Sequence, residues 1–295
     1  MHATITLLQA IVLGLVQGFT ELFPVSSLGH GVLIPALFGW HNLAAHTNFF
    51  LVFLVGTHMG TSIGLIYYYR ATWISVFHGF FRQLAQSRTQ GVASLWRLNA
   101  PGVNPYYRLF IMLLIGTIPV GLVGVVFEHK LRTLFAKPLD AAIFLTINGF
   151  ILLFAEYLRT NRGRRVKEKA VNQLSIRNVL FVGSSQILAL FAGISRSGVT
   201  MVSGLTAGLS HEESANFSFL LATPVILLAG LYKLPSLLGA LGQGVRTQTL
   251  IGALCALVGS YISVRFLTRW FTTKTLKPFG IYCLVLGAIC VVRFA

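Results

Sequence analysis

The sequence predicts an all-α polytopic membrane protein: six transmembrane helices plus two re-entrant helical hairpins in an inverted-topology repeat. Three observations carry that expectation: scarce charge, six long apolar runs, and two further apolar stretches interrupted by polar residues. Of 295 residues, 55% are hydrophobic and 10% charged, whereas a soluble domain carries about 25% charged residues. Too little polar surface remains to cover a globule in water, so lipid is the solvent of most of the chain. The chain reads as one integral membrane domain, with no stretch long enough for a separate soluble one.

A full crossing needs about 20 apolar residues. In chain order the candidates are 47–69, 107–127, 139–158, 214–236, 247–268 and 277–294. The stretch 5–39 is apolar but broken by Glu21, Pro24, Ser26, Ser27 and His30. The stretch 175–209 is broken by Gly193, Ser195, Arg196, Ser197 and Gly198. Each reads as two short helices joined by a polar turn. Non-helical backbone at membrane depth survives only where protein or a wet cavity surrounds it, which places both turns inside the protein.

Lys and Arg total 23 against 7 Asp and Glu, a net charge of +16. Nucleic-acid binding is a poor explanation, because the charge sits in short connections between apolar runs. There it acts as a topology determinant. The 70–105 connection carries Arg70, Arg82, Arg88 and Arg97 without an acid. The 159–177 connection carries Arg159, Arg162, Arg164, Arg165, Lys167, Lys169 and Arg177 against Glu168. The 265–277 connection carries Arg265, Arg269, Lys274 and Lys277 without an acid. With hairpins that do not cross, all three fall on one face, the cytoplasmic one, and both termini face outward. Lys130, Arg132 and Lys137 in the outward 128–138 connection run against this bias, offset in part by Glu128. No basic segment precedes the first apolar run, so no cleavable signal peptide is expected.

The interrupted regions also resemble each other. Gln17, Ser26 and Gly29 match Gln186, Ser195 and Gly198 at one constant offset, Asn48-Phe49 echoes Asn216-Phe217, and Lys137-Pro138 echoes Lys277-Pro278. Repeat 1 spans about 1–160 and repeat 2 about 172–295, with the basic 159–177 loop between them. Three spans per repeat is an odd number, so the halves run in opposite directions, and the site is expected where the hairpins meet.

Polar residues in these hairpins are the functional candidates, since an ionisable group at membrane depth is costly without a purpose. Gln17 and Glu21 lie four apart, on one helix face. Pro24 stops that helix, and Ser26 and Ser27 suit the cap of the next, whose free amides favour an anion. His30 falls one turn further along the same side. In the second hairpin Ser195, Ser197 and Thr200 offer hydroxyls, Gly198 opens a helix start, and Arg196 is the side chain suited to bidentate phosphate binding. Other polar positions carry blander readings: His58 is as well explained by burial as by function, Glu156 by an interfacial position, and Glu212 and Glu213 by the first turn of a helix. Cys255, Cys283 and Cys290 lack metal-ligand spacing and read as small apolar side chains.

The two motifs resemble those of the bacterial undecaprenyl-diphosphatases of the bacitracin-resistance type. That family's (Glu/Gln)-x-x-x-Glu and Pro-x-Ser-Ser-x-Gly-His read here as Gln17 to Glu21 and Pro24-Val-Ser26-Ser27-Leu-Gly29-His30. Its Pro-Gly-x-Ser-Arg-Ser-Gly-x-Thr reads as Ala192-Gly193-Ile-Ser195-Arg196-Ser197-Gly198-Val-Thr200. Ala192 stands for the usual Pro, and Leu28 for a usual Thr or Ser. The resemblance covers essentially the whole chain.

It implies a bacterial inner-membrane enzyme that hydrolyses undecaprenyl diphosphate, with its site open to the outer face. Arg196, aided by Ser195, Ser197, Thr200 and the helix-start amides, would clamp the diphosphate. Ser27 would attack the terminal phosphorus or position the water that does. Glu21 would act as general base or, with Gln17, as a ligand of Mg2+ or Ca2+. His30 would be an alternative base or nucleophile, or would protonate the leaving oxygen. A polyprenyl diphosphate lipid is the implied partner, in contact with membrane lipids and compatible with a homo-oligomer; nucleic acid is not. The rival class is a non-hydrolytic transporter or flippase of a polyprenyl phosphate or other anion. Transport alone needs no nucleophile beside a base, so the Glu21, Ser27 and His30 cluster favours catalysis.

Overall fold

The computed structural model describes residues 5–40, 47–98, 100, 102–134, 137–161, 168–239 and 243–295. Arg162, Arg164, Arg165 and Lys167 of the basic loop lie outside the described residues. The helices in chain order are α1 (Leu7–Thr20), α2 (Ser27–Leu37), α3 (Thr47–Tyr68), α4 (Arg70–Gln90), α5 (Pro105–Leu134), α6 (Pro138–Asn161), α7 (Ile176–Ser185), α8 (Arg196–Thr206), α9 (His211–Leu238), α10 (Arg246–Trp270) and α11 (Lys277–Phe294). Among the described residues the only β feature is an isolated bridge between Lys169 and Leu209.

Within α5, α6, α9, α10 and α11 the stretches Pro105–Phe127, Pro138–Asn161, His211–Tyr232, Arg246–Trp270 and Lys277–Phe294 are long and apolar enough to cross a membrane. The helix α3 adds a further apolar stretch over Val52–Tyr68. Val125, Phe150, Phe154, Leu250 and Val292 are all more than half exposed. A continuous apolar exterior of this kind suits hydrocarbon and would be a liability in water. The protein is therefore an all-helical, multi-pass membrane protein.

Local sequence explains the helix ends. The Thr6 hydroxyl accepts from the Gln9 amide at 3.2 Å while Gln9 Oε1 accepts from the Thr6 amide at 2.9 Å, a reciprocal cap that starts α1. Ser26, Ser195 and Ser210 cap α2, α8 and α9. Glu212 and Glu213 do fall in the first turn of α9. There Glu213 also accepts the Val171 amide at 2.9 Å, tying the incoming segment to the helix.

The interior is packed through small residues. The most extensive helix pairs are α3 with α10, α6 with α11, and α1 with α10. A Cβ on Gly18 would lie 2.5 Å from the Ala256 carbonyl oxygen, and one on Gly149 would lie 2.8 Å from that of Gly280. Lipid offers no hydrophobic drive between helices, so such close backbone approach supplies the van der Waals contact that holds them.

Two segments differ from the sequence expectation. The stretch 70–105 reads as a loop, yet α4 occupies Arg70–Gln90 and a short 3-10 turn follows at Val92–Trp96. The buried face of α4 runs through Val76, Gln83 and Ser87 against α5. That stripe has helical spacing, but it is too small and polar to register as an apolar face. Glu156, expected at an interface, is buried. It accepts His211 Nε2 at 2.7 Å and the Leu276 amide at 2.8 Å, so it joins α6 to α9 and to the start of α11.

Candidate active site

The helix pairs α1/α2 and α7/α8 bring their connecting turns together in the middle of the bundle. The α2 and α8 starts share one capping hydrogen bond. Ser26 Oγ accepts the Gly29 amide at 3.2 Å, and Ser195 Oγ accepts the Gly198 amide at 3.1 Å. Ser26 Oγ also accepts the Gly193 amide at 3.2 Å, so one hydroxyl caps its own helix and holds the opposite turn. Among the described residues Ser26 is the only non-glycine with positive φ, at 68°. Such a conformation costs about 1–3 kcal/mol and persists where surroundings over-determine it. Gly193, at φ 110°, has no room for a side chain, because a Cβ would lie 2.4 Å from the Ala141 carbonyl oxygen.

Glu21 is the hub. It is 6% exposed at the end of α1, and both carboxylate oxygens are engaged. Oε1 accepts Arg196 Nη2 at 2.8 Å. Oε2 accepts Gln17 Nε2 at 2.9 Å and the Ser27 hydroxyl. His58 Nε2, from α3, stands 3.5 Å from the same oxygen. The His58 Nδ1 proton goes to the Leu54 carbonyl at 2.7 Å, since a carbonyl can only accept.

Arg196 opens α8 directly opposite. Its Nη1 is buried and has no partner, while Nη2 is spent on Glu21. A buried guanidinium donor without a partner costs far more than a satisfied one. An oxygen acceptor placed beside it would satisfy it.

The remaining candidate residues divide. His30 is buried; its Nδ1 donates to the Ser26 carbonyl at 2.7 Å and its Nε2 meets the Tyr282 hydroxyl at 2.8 Å. The imidazole thus belongs to the α2 cap and α11, with no hydrogen bond to Glu21 or Ser27. Ser195 Oγ meets Ser197 Oγ at 3.0 Å, and Ser197 Oγ donates to the Phe23 carbonyl at 3.2 Å. Thr200 Oγ1 donates to the Arg196 carbonyl at 2.8 Å and also contacts Ser218 Oγ. These hydroxyls already fasten the hairpins, and phosphate contact would require each to give up a protein partner. Leu28 is half-buried and packs on the apolar core, so its position serves packing.

Sequence reasoning did not single out Asn148 or Tyr282. Asn148, fully buried at the midpoint of α6, accepts the Ser195 amide at 3.0 Å and donates to the Pro24 carbonyl at 3.0 Å. One carboxamide therefore clasps both hairpin turns. A lone asparagine in the middle of the 139–158 run is the signal that could have found it.

The donor set bears on a metal ion. Among the described residues no three of His, Cys, Asp or Glu are grouped to hold one. The oxygens at the site are the two of the Glu21 carboxylate, both hydrogen-bonded, and that of the Gln17 carboxamide. A hard cation that keeps its waters and takes oxygens from a bound phosphate needs no more than one or two carboxylates. The residues fit an ion shared with a diphosphate and do not form an all-protein cage.

Comparison with known proteins gives one consistent picture. A family model described as "Bacitracin resistance protein BacA" matches residues 10–289. The chain is 42% identical to "Undecaprenyl-diphosphatase 2" of Frankia alni, over 100% of this chain and 99% of the relative. It is 43% identical to "Undecaprenyl-diphosphatase" of Mycolicibacterium paratuberculosis, with the same coverage of 100% and 99%. It is 40% identical to "Undecaprenyl-diphosphatase 2" of Burkholderia orbicola, over 95% of this chain and 94% of the relative.

Proposed function

The chain belongs to the bacitracin resistance protein BacA family, and we propose that the Glu21–Arg196 cluster is where it hydrolyses undecaprenyl diphosphate to undecaprenyl phosphate and phosphate. The enzyme is a membrane phosphatase that returns the lipid carrier for wall-glycan synthesis. The observation that carries the site assignment is the buried, unpartnered Nη1 of Arg196 beside a serine already bonded to a carboxylate.

Phosphoryl transfer asks the protein mainly for positioning and charge stabilisation. Arg196 Nη1, with the α2 helix start, holds the terminal phosphate. Ser27 donates its proton to Glu21 as its oxygen attacks the terminal phosphorus, and the bridging P–O bond breaks to release undecaprenyl phosphate. Glu21 passes that proton to the departing undecaprenyl phosphate, then takes one from water as the water oxygen attacks the phosphoserine, and returns it to the Ser27 oxygen as inorganic phosphate leaves. One water is consumed and the serine is regenerated. Gln17 holds the carboxylate by a hydrogen bond, and His58 stands 3.5 Å from it. Where Glu21 serves as a ligand instead of as the base, Glu21 and Gln17 would hold Mg2+ or Ca2+, which would supply charge neutralisation. His30, tied to Tyr282, shapes the α2 start and lies within the same turn as Ser27.

The topology belongs to the same proposal. Six crossings, α3, α5, α6, α9, α10 and α11, with α1/α2 and α7/α8 re-entrant, put both termini outside and the site toward the outer face. Repeats of about 1–160 and 172–295 are supported by the matched caps at Ser26 and Ser195.

The test is phosphate release from a long-chain polyprenyl diphosphate labelled at its terminal phosphorus, using purified protein with and without Mg2+ or Ca2+. Wild type should turn over and yield a labelled phosphoserine on rapid acid quench, and Ser27→Ala should lose both. Turnover retained in Ser27→Ala would remove the serine from the chemistry. Lipid bound by well-folded wild type without any release would move the site to a non-hydrolytic carrier.

A further inference from the structure

The basic end of α10 carries a groove that the hydrolytic site does not use. It has a volume of about 580 Å³ and is open to the exterior. Tyr261, Phe266 and Trp270 form its apolar wall, and Arg265, Arg269 and Lys274 its polar edge. Residues 261, 265 and 269 recur every fourth position, so they lie above one another on a single face of α10.

The wall is rigid. Phe266 stacks on Phe23 at a centroid distance of 5.9 Å with rings 8° from parallel. Trp270 meets Phe279 at 5.9 Å edge-on and donates its indole N–H to the Thr275 carbonyl at 3.2 Å. The edge is uncompensated. Arg265 and Arg269 are exposed and form no ion pair among the described residues. Lys274 also lines an adjacent polar cavity of about 230 Å³ that includes Arg159, Glu168 and Glu212. There Glu168 is paired with Arg159. Arg265 and Arg269 therefore carry the anion preference of the groove.

An apolar wall ending in free cations matches an amphiphile with an anionic head. A soluble anion would leave the aromatic wall unused. A second copy of this chain would bring its own net charge of +16 against the cations. The polyprenyl diphosphate is drawn instead to the buried guanidinium of Arg196. We infer that this groove is a binding site for an anionic glycerophospholipid of the surrounding bilayer, its phosphate held by Arg265 and Arg269 and its acyl chain laid along Tyr261 and Phe266. Basic pockets at the ends of membrane helices bind phospholipid heads on this principle.

The experiment titrates the purified full-length protein with phosphatidylglycerol or phosphatidylcholine and counts bound lipids by native mass spectrometry, without reference to turnover. Wild type should take up one phosphatidylglycerol with about tenfold preference over phosphatidylcholine. R265Q/R269Q should lose the preference. R82Q/R88Q, which removes the same charge from exposed positions on α4, should keep it. Equal lipid preference in wild type, or preference that survives in R265Q/R269Q, overturns the inference. So does displacement of the lipid by millimolar inorganic phosphate, which would make this a soluble-anion site. A dimer that vanishes in R265Q/R269Q would give the groove to a second copy and overturn it equally.

Discussion

Asn148 accepts the backbone proton of Ser195 at 3.0 Å, and through that bond the wall of the bundle fixes the turn that aims Arg196 at Glu21. Its amide nitrogen reaches the Pro24 carbonyl in the opposite turn. Asn148→Leu leaves the buried Ser195 amide unpaired, at about 1–3 kcal/mol, and the Pro24 carbonyl with only the long contact from the Cys283 thiol. The variant should melt at lower temperature in detergent. It should also lose about a hundredfold in kcat, since small misplacements of catalytic groups cost that much.

Arg196→Lys keeps the charge and loses the fork. An ammonium on a flexible stem does not reproduce the planar geometry of Nη1 and Nη2. Losing one charge-assisted hydrogen bond of about 1.5–3 kcal/mol should lower kcat/KM by about 10–100-fold in steady-state phosphate release.

Glu21→Gln removes the proposed base and leaves Arg196 without its counter-charge. Turnover should fall by about 10²–10⁴-fold. Stability without substrate should fall by about 3–5 kcal/mol, the usual cost of breaking a buried pair from one side. A non-hydrolysable diphosphate analogue should restore part of the melting temperature, because its oxygens replace the lost carboxylate. A variant that loses stability and is not rescued would argue that the guanidinium faces no ligand.

Tyr282→Phe deletes one neutral hydrogen bond to His30, worth about 0.5–1.5 kcal/mol. Turnover should drop by no more than about tenfold by the same measure. A collapse comparable to that of Glu21→Gln would show that the His30–Tyr282 pair takes part in the chemistry instead of shaping the α2 start.

Calcium or magnesium should bind weakly to the free protein, which offers a single carboxylate, and more tightly once pyrophosphate is present. Isothermal titration with and without pyrophosphate measures the difference. Tight binding to the free protein would require ligands beyond Glu21 and Gln17.

The hairpins were readable because their signals are local. Pro24, the Ser26 cap and the small residues around Gly193 interrupt apolar runs, and the chain has to turn there. Asn148 and Tyr282 were not, because their meaning depends on partners far along the chain: His30 and Tyr282 are 252 positions apart. The buried face of α4 was missed for another reason, since Val76, Gln83 and Ser87 make a stripe that hydropathy does not see. Glu156 looked interfacial from its place near a basic loop, yet the bond to the Leu276 amide closes over it.

Glu21 and Arg196 are 175 positions apart. Translation proceeds at about 5–20 residues per second, so the carboxylate leaves the ribosome roughly 9–35 s before its cation. Through that interval the acid has no arginine partner, and the Glu21–Arg196 bond can close only when the second half of the chain arrives.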